Sequence, residues 1–509
     1  MDITTRPARP PRTRLGDLGL PVSGDADVTV TGVSLSSQRV QPGDLYAALP
    51  GRTVHGIDFV EQALAAGAVA VLTDPVGASR LRPGSPLLAG APMLVVEDPR
   101  ALLGELSARV YGRPAEKMRT IGVTGTQGKT TTTRLLEGGL QRSGTTAGVI
   151  GTVGTRIAGK DVKTSLTTPE APDLQALFAL MLERMVKACA MEVSSHALVM
   201  GRVDGVVFDV AVFLNLGRDH LDFHQTVEDY YLAKASLFTP ERARLGLVNI
   251  DDDHGRRLAR EARIPVRTLS THGEADWRAE DIRLGPDGST FTVHGPGPRS
   301  FDAHCPLPGD FNVANTLAAL AAAAEAGFDP ARVAHGIQQG VPGRLERVEA
   351  GQDFTVLVDY AHKPDAVEAA IRTLRPLTSG RVIVVLGAGG DRDTGKRPIM
   401  GGIAARLADV VIVTDDNPRS EDPVAIRAAV LAGARQAPAD GRATSEEYGD
   451  RRAAIERAVG LAAAGDIVLI AGKGHETGQE VAGTVHPFDD RVVAREALLT
   501  VRAQGSGMA

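Results

Sequence analysis

The chain is poor in cysteine, in aromatic residues and in excess positive charge, and it has no long apolar run. Cys189 and Cys305 are the only cysteines among 509 residues, far apart and outside any C-x-x-C pattern. That argues against a disulfide framework or a zinc site and for reduced core thiols in a cytoplasmic protein. Aromatics make up 4% of the chain, against 43% hydrophobic and 23% charged residues, a globular profile rather than a fibre or a disordered scaffold. The net charge of −6 excludes a general attraction to nucleic acid or to an anionic membrane, so an acidic ligand needs a local basic pocket. The Ala-rich stretch 317–326 is interrupted by Glu325 and stopped by Gly327, short of the roughly 20 residues of a membrane span. Arg6, Arg9, Arg12 and Arg14 stand among prolines with no apolar segment behind them, which excludes a signal peptide. Residues 1–27 therefore read as a solvated, disordered arm and lead-in. A monomer without nucleic-acid or membrane partners is expected.

What is present is a repeated α/β pattern, and the length predicts about three domains. Residues 28–112 form a small α/β unit, in which β-rich runs at 69–73 and 93–96 follow a helical pattern at 59–66. The break at Tyr111-Gly112-Arg113-Pro114 opens a central unit, 113–342, and Pro342-Gly343 opens the last, 343–509. In the last unit, apolar runs at 354–358, 382–386, 410–413 and 467–471 alternate with helical patterns. Continuous apolar strands of this kind imply a parallel, doubly wound sheet covered on both faces. Each run ends in a polar loop: Asp359-Tyr360-Ala361-His362, then 387–393, then Asp415-Asp416-Asn417-Pro418-Arg419, then Gly472-Lys473-Gly474-His475-Glu476. Ligands of open α/β sheets bind at the carboxyl ends of strands, so these loops should line one crevice. The central unit repeats the logic, with Glu192 to His196 after one run and Asn215, Arg218, Asp219 and His220 after another. Two facing sets of strand ends would make an interdomain active site.

The segment Val-Thr-Gly-Thr-Gln-Gly-Lys-Thr-Thr-Thr at 123–132 follows an apolar run and opens a helical pattern, the place of a phosphate-cradling loop. Val123 stands where the generic G-x-x-x-x-G-K-[ST] pattern needs its first glycine, so this is a shortened variant. Backbone N–H groups of 125–130 would hold ATP phosphates, Lys129 would neutralise their charge and Thr130 would ligate Mg²⁺. Glu192 and His220 offer a hard oxygen and an imidazole for the same cation, although each alone would serve equally as a hydrogen-bonded structural residue. Helical spacing puts Tyr230, Lys234 and Phe238 on one face, where Lys234 is either a snorkelling lysine or a partner for an anion. Arg419 presents a guanidinium suited to bidentate carboxylate recognition, and Arg392 and Glu476 could take a second carboxylate and an ammonium. Together they describe a pocket for a zwitterionic amino acid, against the alternative of surface salt bridges.

The ordered motifs at 124–130, "TTPE" 167–170, "MEVSSHAL" 191–198, "RDHLDFH" 218–224, "GGDRD" 389–393, "DNPR" 416–419 and "GKGHE" 472–476 resemble those of the Mur ligases, the ATP-dependent amide-forming enzymes of peptidoglycan precursor synthesis. The resemblance runs from about residue 28 to the end. It implies a UDP-binding N-terminal domain, a central P-loop ATPase-like domain with a mostly parallel sheet, and a Rossmann-like C-terminal domain. It further implies that Thr124, Gly125, Thr126, Gln127, Gly128, Lys129, Thr130, Asn315, Arg344 and Asp359 bind ATP. Magnesium would sit on Thr130, Glu192, His220 and a carbamylated Lys234, and Lys129, Glu192, His220 and Lys234 would carry catalysis. Ser37, Thr53, Thr167, Thr168, Ser194 and Arg202 match contacts to a UDP-N-acetylmuramoyl dipeptide. Arg392, Asp416, Asn417, Pro418, Arg419, Gly472 and Glu476 match the amino-acid pocket, with Arg419 the residue type expected for diaminopimelate rather than lysine. The implied reaction activates a D-glutamyl carboxylate as an acyl phosphate, which the diaminopimelate amine then attacks. The chain departs from the family pattern at Gln127, Leu166, Met200 and Ser36-Ser37-Gln38, mostly on the sugar-nucleotide side. The alternatives are an amide ligase of the same superfamily with another acceptor, such as a folate-polyglutamylating enzyme, and a non-catalytic nucleotide-binding regulator. Intact Lys129, Glu192, His220 and Lys234 speak against the regulator.

Overall fold

The computed structural model describes residues 5–51, 53–81, 90–164, 166–217, 219–220, 223–438 and 443–506. Arg218, Leu221 and Asp222 of the 218–224 motif lie outside them. Contacts divide the chain into two compact units, the first comprising 1–280, 292–303 and 314–337, the second 281–291, 304–313 and 338–509.

The first unit opens with a five-stranded sheet in the order Val22–Ser23, Met93–Val95, Ala70–Thr73, Asp44–Ala47, Gly32–Ser34. Alternation along these strands feeds two cores. Val33, Leu45 and Leu72 pack with Leu103, Leu106 and Val110 of the helix Pro99–Val110, whereas Tyr46 and Val71 pack with Ile57, Val60 and Ala63. That helix starts where Asp98 accepts from Arg100 N and Ala101 N, with Pro99 at its first position, where a missing N–H costs nothing.

The expectation of a disordered arm is corrected here for the described part. Thr13–Arg14 pairs antiparallel with Thr29–Val30, and Leu15 and Leu18 are buried in the adjoining core. Arg6 donates to both carboxylate oxygens of Asp44, at 2.7 and 2.8 Å, and to the Val33 carbonyl at 3.1 Å. The N–H groups of Ala8 and Arg9 donate to Glu183. Composition alone favours solvation, but a guanidinium is readily drawn in by a buried carboxylate that would otherwise lack a counter-charge.

The second sheet of this unit runs Lys160–Val162, Thr155–Ile157, Ala147–Ile150, Ala188–Glu192, Arg119–Thr124, Phe208–Phe213, Ala243–Asn249, Val266–Ser270, with Leu269 then pairing Trp277. From Ala147–Ile150 to Val266–Ser270 every pairing is parallel, and the first two strands form an antiparallel edge. Register fixes the site. Glu192 lies opposite Val123, and Phe213 opposite Thr124, so the loop after Arg119–Thr124 opens between the ends of its two neighbours. The helix Lys129–Arg142 starts from Gly128, whose φ of 86° is a left-handed conformation that glycine adopts without strain. The helix Val227–Ala235 begins with a reciprocal cap, Asp229 N donating to Thr226 Oγ1 and Thr226 N to Asp229 Oδ2. It ends before Ser236, so Phe238, expected on the helical face of Tyr230 and Lys234, lies past the helix, although it is buried.

The second unit holds a six-stranded sheet ordered Glu346–Arg347, Thr355–Asp359, Ile467–Ala471, Val382–Leu386, Val410–Val413, Thr444–Glu447. All its pairings are parallel except that of Glu346–Arg347. Val382, Val384 and Leu386 face Val367, Met400 and Val430, while Ile383 and Val385 face Ala454, Ile455, Ala494 and Leu498. Both faces are therefore covered by helices, the doubly wound arrangement expected from the apolar runs. Truncating a wholly buried member such as Leu386 to alanine would cost about 2–5 kcal/mol.

Candidate active site

The shortened loop of the first unit is held by its neighbours. Asn215, immediately beyond the strand Phe208–Phe213, accepts at Oδ1 from Thr126 N (3.1 Å) and Gln127 N (2.9 Å) and donates from Nδ2 to the Gln127 carbonyl (3.2 Å). Lys129 Nζ folds back onto the carbonyls of Gly125 (2.7 Å) and Thr126 (3.0 Å). A Cβ on Gly128 would collide with Asn315 Oδ1, so only glycine lets the helix Asp310–Glu325 approach the loop this closely. Thr124 and Asn315 are buried, and Thr124 Oγ1 has no hydrogen-bond partner among the described residues.

Glu192 is 1% exposed at the end of its strand. Its Oε1 accepts from Thr130 Oγ1 (2.9 Å) and Thr152 N (2.8 Å), and its Oε2 from Thr152 Oγ1 (3.1 Å). It lies against Gly151, where any Cβ would run into Oε1. A buried carboxylate beside a threonine hydroxyl at the start of a phosphate-loop helix is a hard-oxygen donor set, and it suits Mg²⁺. Among the described residues, no group of three or more His, Cys, Asp or Glu side chains is gathered for a metal, so the candidate set is mixed.

Lys234 is 1% exposed. Its Nζ donates to the Gly125 carbonyl at 2.9 Å and lies 4.5 Å from the centroid of the Tyr230 ring. The Tyr230 hydroxyl in turn meets Thr126 Oγ1 at 3.2 Å, and burial raises the phenol pKa above its ordinary value. His220, with φ 54°, has its ring 6.1 Å from Tyr230 and edge-on to His196 at 4.8 Å. His220 Nε2 lies 3.4 Å from Asp219 Oδ2. The loop, Thr130, Glu192 and Lys234 are thus linked through direct contacts, with His220 attached through Tyr230.

Among the residues expected to meet the sugar nucleotide, Thr167 Oγ1 meets Thr152 Oγ1 at 3.2 Å, and Thr168 Oγ1 donates to the Glu192 carbonyl at 2.9 Å while accepting from Ser194 N. Ser194 caps the helix Ser195–Val199 by accepting from Ala197 N. Arg202 donates to Glu170 (2.8 Å) and to the Thr168 carbonyl (3.4 Å). These four therefore form one contiguous group with Glu192. Ser37 is buried with its hydroxyl on Gln62 (2.8 Å), whereas Thr53 is exposed.

In the second unit the expected amino-acid residues cluster around Asn417. Asn417 Nδ2 donates to Glu476 Oε2 at 2.9 Å, and its Oδ1 accepts from Lys473 Nζ at 3.0 Å. Gly472, at φ 121°, leaves no room for a Cβ beside Asp416 Oδ2. Arg419 NH1 donates to the Gly390 carbonyl at 2.6 Å. Arg392 is exposed and donates to the Asp391 carbonyl at 3.3 Å, away from the cluster's hydrogen bonds. Arg344 stacks over Tyr360 at 4.7 Å, and Asp359 accepts from Leu345 N and Ala361 N at 2.8 Å each. Burial raises the Asp359 pKa, against the opposing pull of Arg344. Asn315 belongs to the first unit, and Arg344 and Asp359 to the second.

Three groups carried no assigned role in the sequence. Lys473 is wholly buried, its ammonium 3.3 Å from Glu476 Oε2. Arg451 and Asp490, both fully buried, pair at 2.8 Å while Arg451 also donates to the Ala471 carbonyl at the strand end. Asn215 was visible only as a strand terminator. Lys473 lies inside the "GKGHE" motif, which is the signal that could have marked it.

Three family models match the chain: "Mur ligase family, catalytic domain" over 29–111, "Mur ligase middle domain" over 123–323 and "Mur ligase, glutamate ligase domain" over 343–474. The chain belongs to the Mur ligase family. It is 56% identical over 500 residues to a Streptomyces avermitilis protein named UDP-N-acetylmuramoyl-L-alanyl-D-glutamate--2,6-diaminopimelate ligase, covering 97% of this chain and 98% of that one. It is 50% identical over 489 residues to a Corynebacterium glutamicum protein of the same name, covering 94% of each. A solved structure titled as a UDP-N-acetylmuramoyl-L-alanyl-D-glutamate--2,6-diaminopimelate ligase superposes with a TM-score of 0.70 at 35% identity, over 97% of this chain and 100% of that one.

Proposed function

We propose that this chain is an ATP-dependent amide ligase that joins diaminopimelate to UDP-N-acetylmuramoyl-L-alanyl-D-glutamate through an acyl phosphate. The observation that carries the reading is the 56% identity, over almost the whole of both chains, to a relative bearing that name. The local geometry supports it: a phosphate loop, a buried carboxylate at its mouth, and a separate cluster of opposite charges in the second unit.

ATP is taken as held by the backbone of 125–130, with Lys129 released from the Gly125 and Thr126 carbonyls to meet the phosphates. Thr130, Glu192, His220 and a carbamylated Lys234 would hold Mg²⁺, which supplies charge neutralisation at the phosphates. Thr167, Thr168, Ser194 and Arg202 orient the muramoyl dipeptide, with Ser37 and Thr53 assigned to its nucleotide end. A D-glutamyl carboxylate oxygen attacks the γ-phosphorus, the bond from that phosphorus to the bridging oxygen breaks, and ADP leaves. Lys129 stabilises the charge of this transfer. The deprotonated amine of diaminopimelate then attacks the acyl carbon, and the tetrahedral intermediate collapses by breaking the carbon–oxygen bond to phosphate, the surplus proton of the nitrogen passing to the departing phosphate. An amide and inorganic phosphate remain. Asn315, Arg344 and Asp359 are assigned to the nucleoside of ATP. Arg419 is assigned to one diaminopimelate carboxylate and Arg392 to a second, Glu476 to an ammonium, and Asp416, Asn417, Pro418 and Gly472 to the rest of the pocket.

The test is an assay with ATP, the UDP-muramoyl dipeptide and a panel of amino acids, following phosphate release and product mass. Diaminopimelate should support turnover and a product mass equal to the condensed pair. Equal turnover with lysine, or phosphate release without an amide product, would reject the assignment.

A further inference from the structure

We infer that Glu480 is a positioning residue for Arg419, and that the hairpin carrying it sets the grip on the carboxylate of the incoming amino acid; this rests on the reading of Arg419 given above. The hairpin pairs Gly478–Val481 with Thr484–Pro487 in antiparallel register, turning at Ala482 and Gly483. The segment 416–419 is stitched to it along its length. Arg419 N donates to the Glu480 carbonyl (3.0 Å), and Ala482 N donates to the Arg419 carbonyl (2.7 Å), making Arg419 a one-residue parallel bridge to Val481. Glu480 N donates to Asn417 Oδ1 (2.9 Å), and Gln479 Nε2 to the Asp416 carbonyl (2.8 Å). These bonds hold Arg419 at φ 54°, a left-handed conformation that a non-glycine residue keeps only when its surroundings impose it.

The side chain is fixed as well as the backbone. Glu480 Oε2 lies 3.3 Å from Arg419 Nε, and Arg419 NH1 donates to the Gly390 carbonyl at 2.6 Å. Glu480 thus ion-pairs with the guanidinium on its Nε side, and the Gly390 carbonyl takes one NH1 hydrogen. NH2 makes no hydrogen bond or ion pair among the described residues and, beside NH1, leaves an edge of the fork for a carboxylate. The guanidinium side chain is 23% exposed and that of Glu480 39%, so repulsion between Glu480 and an incoming carboxylate is screened by water. Prior fixation, by contrast, removes rotamer freedom that binding would otherwise have to remove. The orientational gain is therefore the larger effect. Neither Glu480 nor the hairpin belongs to the strand-end motifs that mark the pocket in sequence.

Steady-state kinetics of the full-length enzyme test this with ATP, the UDP-muramoyl dipeptide and diaminopimelate each varied in turn. Glu480→Ala should raise the KM for diaminopimelate about tenfold, leaving kcat and the other two KM values within about twofold. Glu480→Gln keeps the size of the side chain but removes the charge of the ion pair, so it should recover only part of that loss. Arg419→Ala should be worse than Glu480→Ala, and the double variant no worse than Arg419→Ala alone. An unchanged or lowered KM in Glu480→Ala, an equal rise in all three KM values, or additive losses in the double variant would each overturn the inference. If Arg419→Ala is impaired and Glu480→Ala is not, only the role of Glu480 falls. If Arg419→Ala itself leaves the KM for diaminopimelate unchanged, the pocket assignment falls with it.

Discussion

Lys234 Nζ donates to the same Gly125 carbonyl oxygen that accepts from Lys129 Nζ, at 2.9 and 2.7 Å. Two ammonium groups on one acceptor repel, and with Lys234 buried the repulsion is poorly screened. Carbamylation of Lys234 would turn that repulsion into attraction and supply oxygen ligands for a cation. The native protein in bicarbonate buffer should therefore carry the added mass of CO₂ on Lys234, and turnover should fall on CO₂ removal and return with bicarbonate. Lys234→Ala should lower kcat by about a hundredfold. A rate indifferent to CO₂ would refute the carbamate.

The position of Glu192 makes a separate prediction about the metal. Glu192→Gln preserves size and can still accept from Thr130 and Thr152, but removes the negative charge. The Mg²⁺ concentration for half-maximal rate should rise at least about tenfold and kcat fall about a hundredfold. Binding of the UDP-muramoyl dipeptide, measured by calorimetry without nucleotide, should change little. Chelation of Mg²⁺ should abolish turnover of the native enzyme.

Arg6 and Asp44 predict a stability effect far from the chemistry. The Asp44 side chain is 2% exposed, so Arg6→Ala strands a buried carboxylate. Denaturant unfolding should show a loss of about 3 kcal/mol, and adding Asp44→Asn to Arg6→Ala should recover part of it. Removing residues 1–12 should lose at least as much, because it takes away the bonds of Ala8 and Arg9 to Glu183 as well as Arg6.

His362 gives a pH-dependent term. Burial pushes its pKa from 6.5 down to about 4, helped by the positive charges of Lys363 and Lys396. Its Nδ1 lies 2.8 Å from the Tyr360 carbonyl, an arrangement a neutral ring satisfies by donating. The folded-state pKa is depressed, so the unfolded chain binds the extra proton between these values. This contribution is full above pH 6.5 and is lost as pH falls towards 4, amounting to about 2 kcal/mol after allowing for partial exposure. His362→Gln should flatten the stability profile across that window in urea titrations at stepped pH.

The parallel strands of both units were legible because a strand buried on both faces must be apolar throughout, as at Val382–Leu386 and Ile467–Ala471. The positions of Glu192, Asn215 and Arg419 beside strand ends followed from those runs. Thr444–Glu447 was not legible: it is an edge strand of Thr-Ser-Glu-Glu, with little need for apolar side chains. Arg6 pairs with a residue 38 positions away, and no local pattern encodes such a partner. The burial of Lys473 depends on Asn417 and Glu476 arriving from separate loops, which spacing cannot report. Phe238 was misplaced because the sequence continues its helical spacing past the point where the backbone leaves the helix.

Gly151, which follows the strand Ala147–Ile150, does not have a positive φ, so its constraint is steric rather than conformational. Even alanine there would drive the Glu192 carboxylate off Thr130. A saturation library at position 151 scored by turnover should return glycine alone. Inhibitors that reach the bare backbone at this point would meet a wall that resistance mutations have almost no freedom to rebuild.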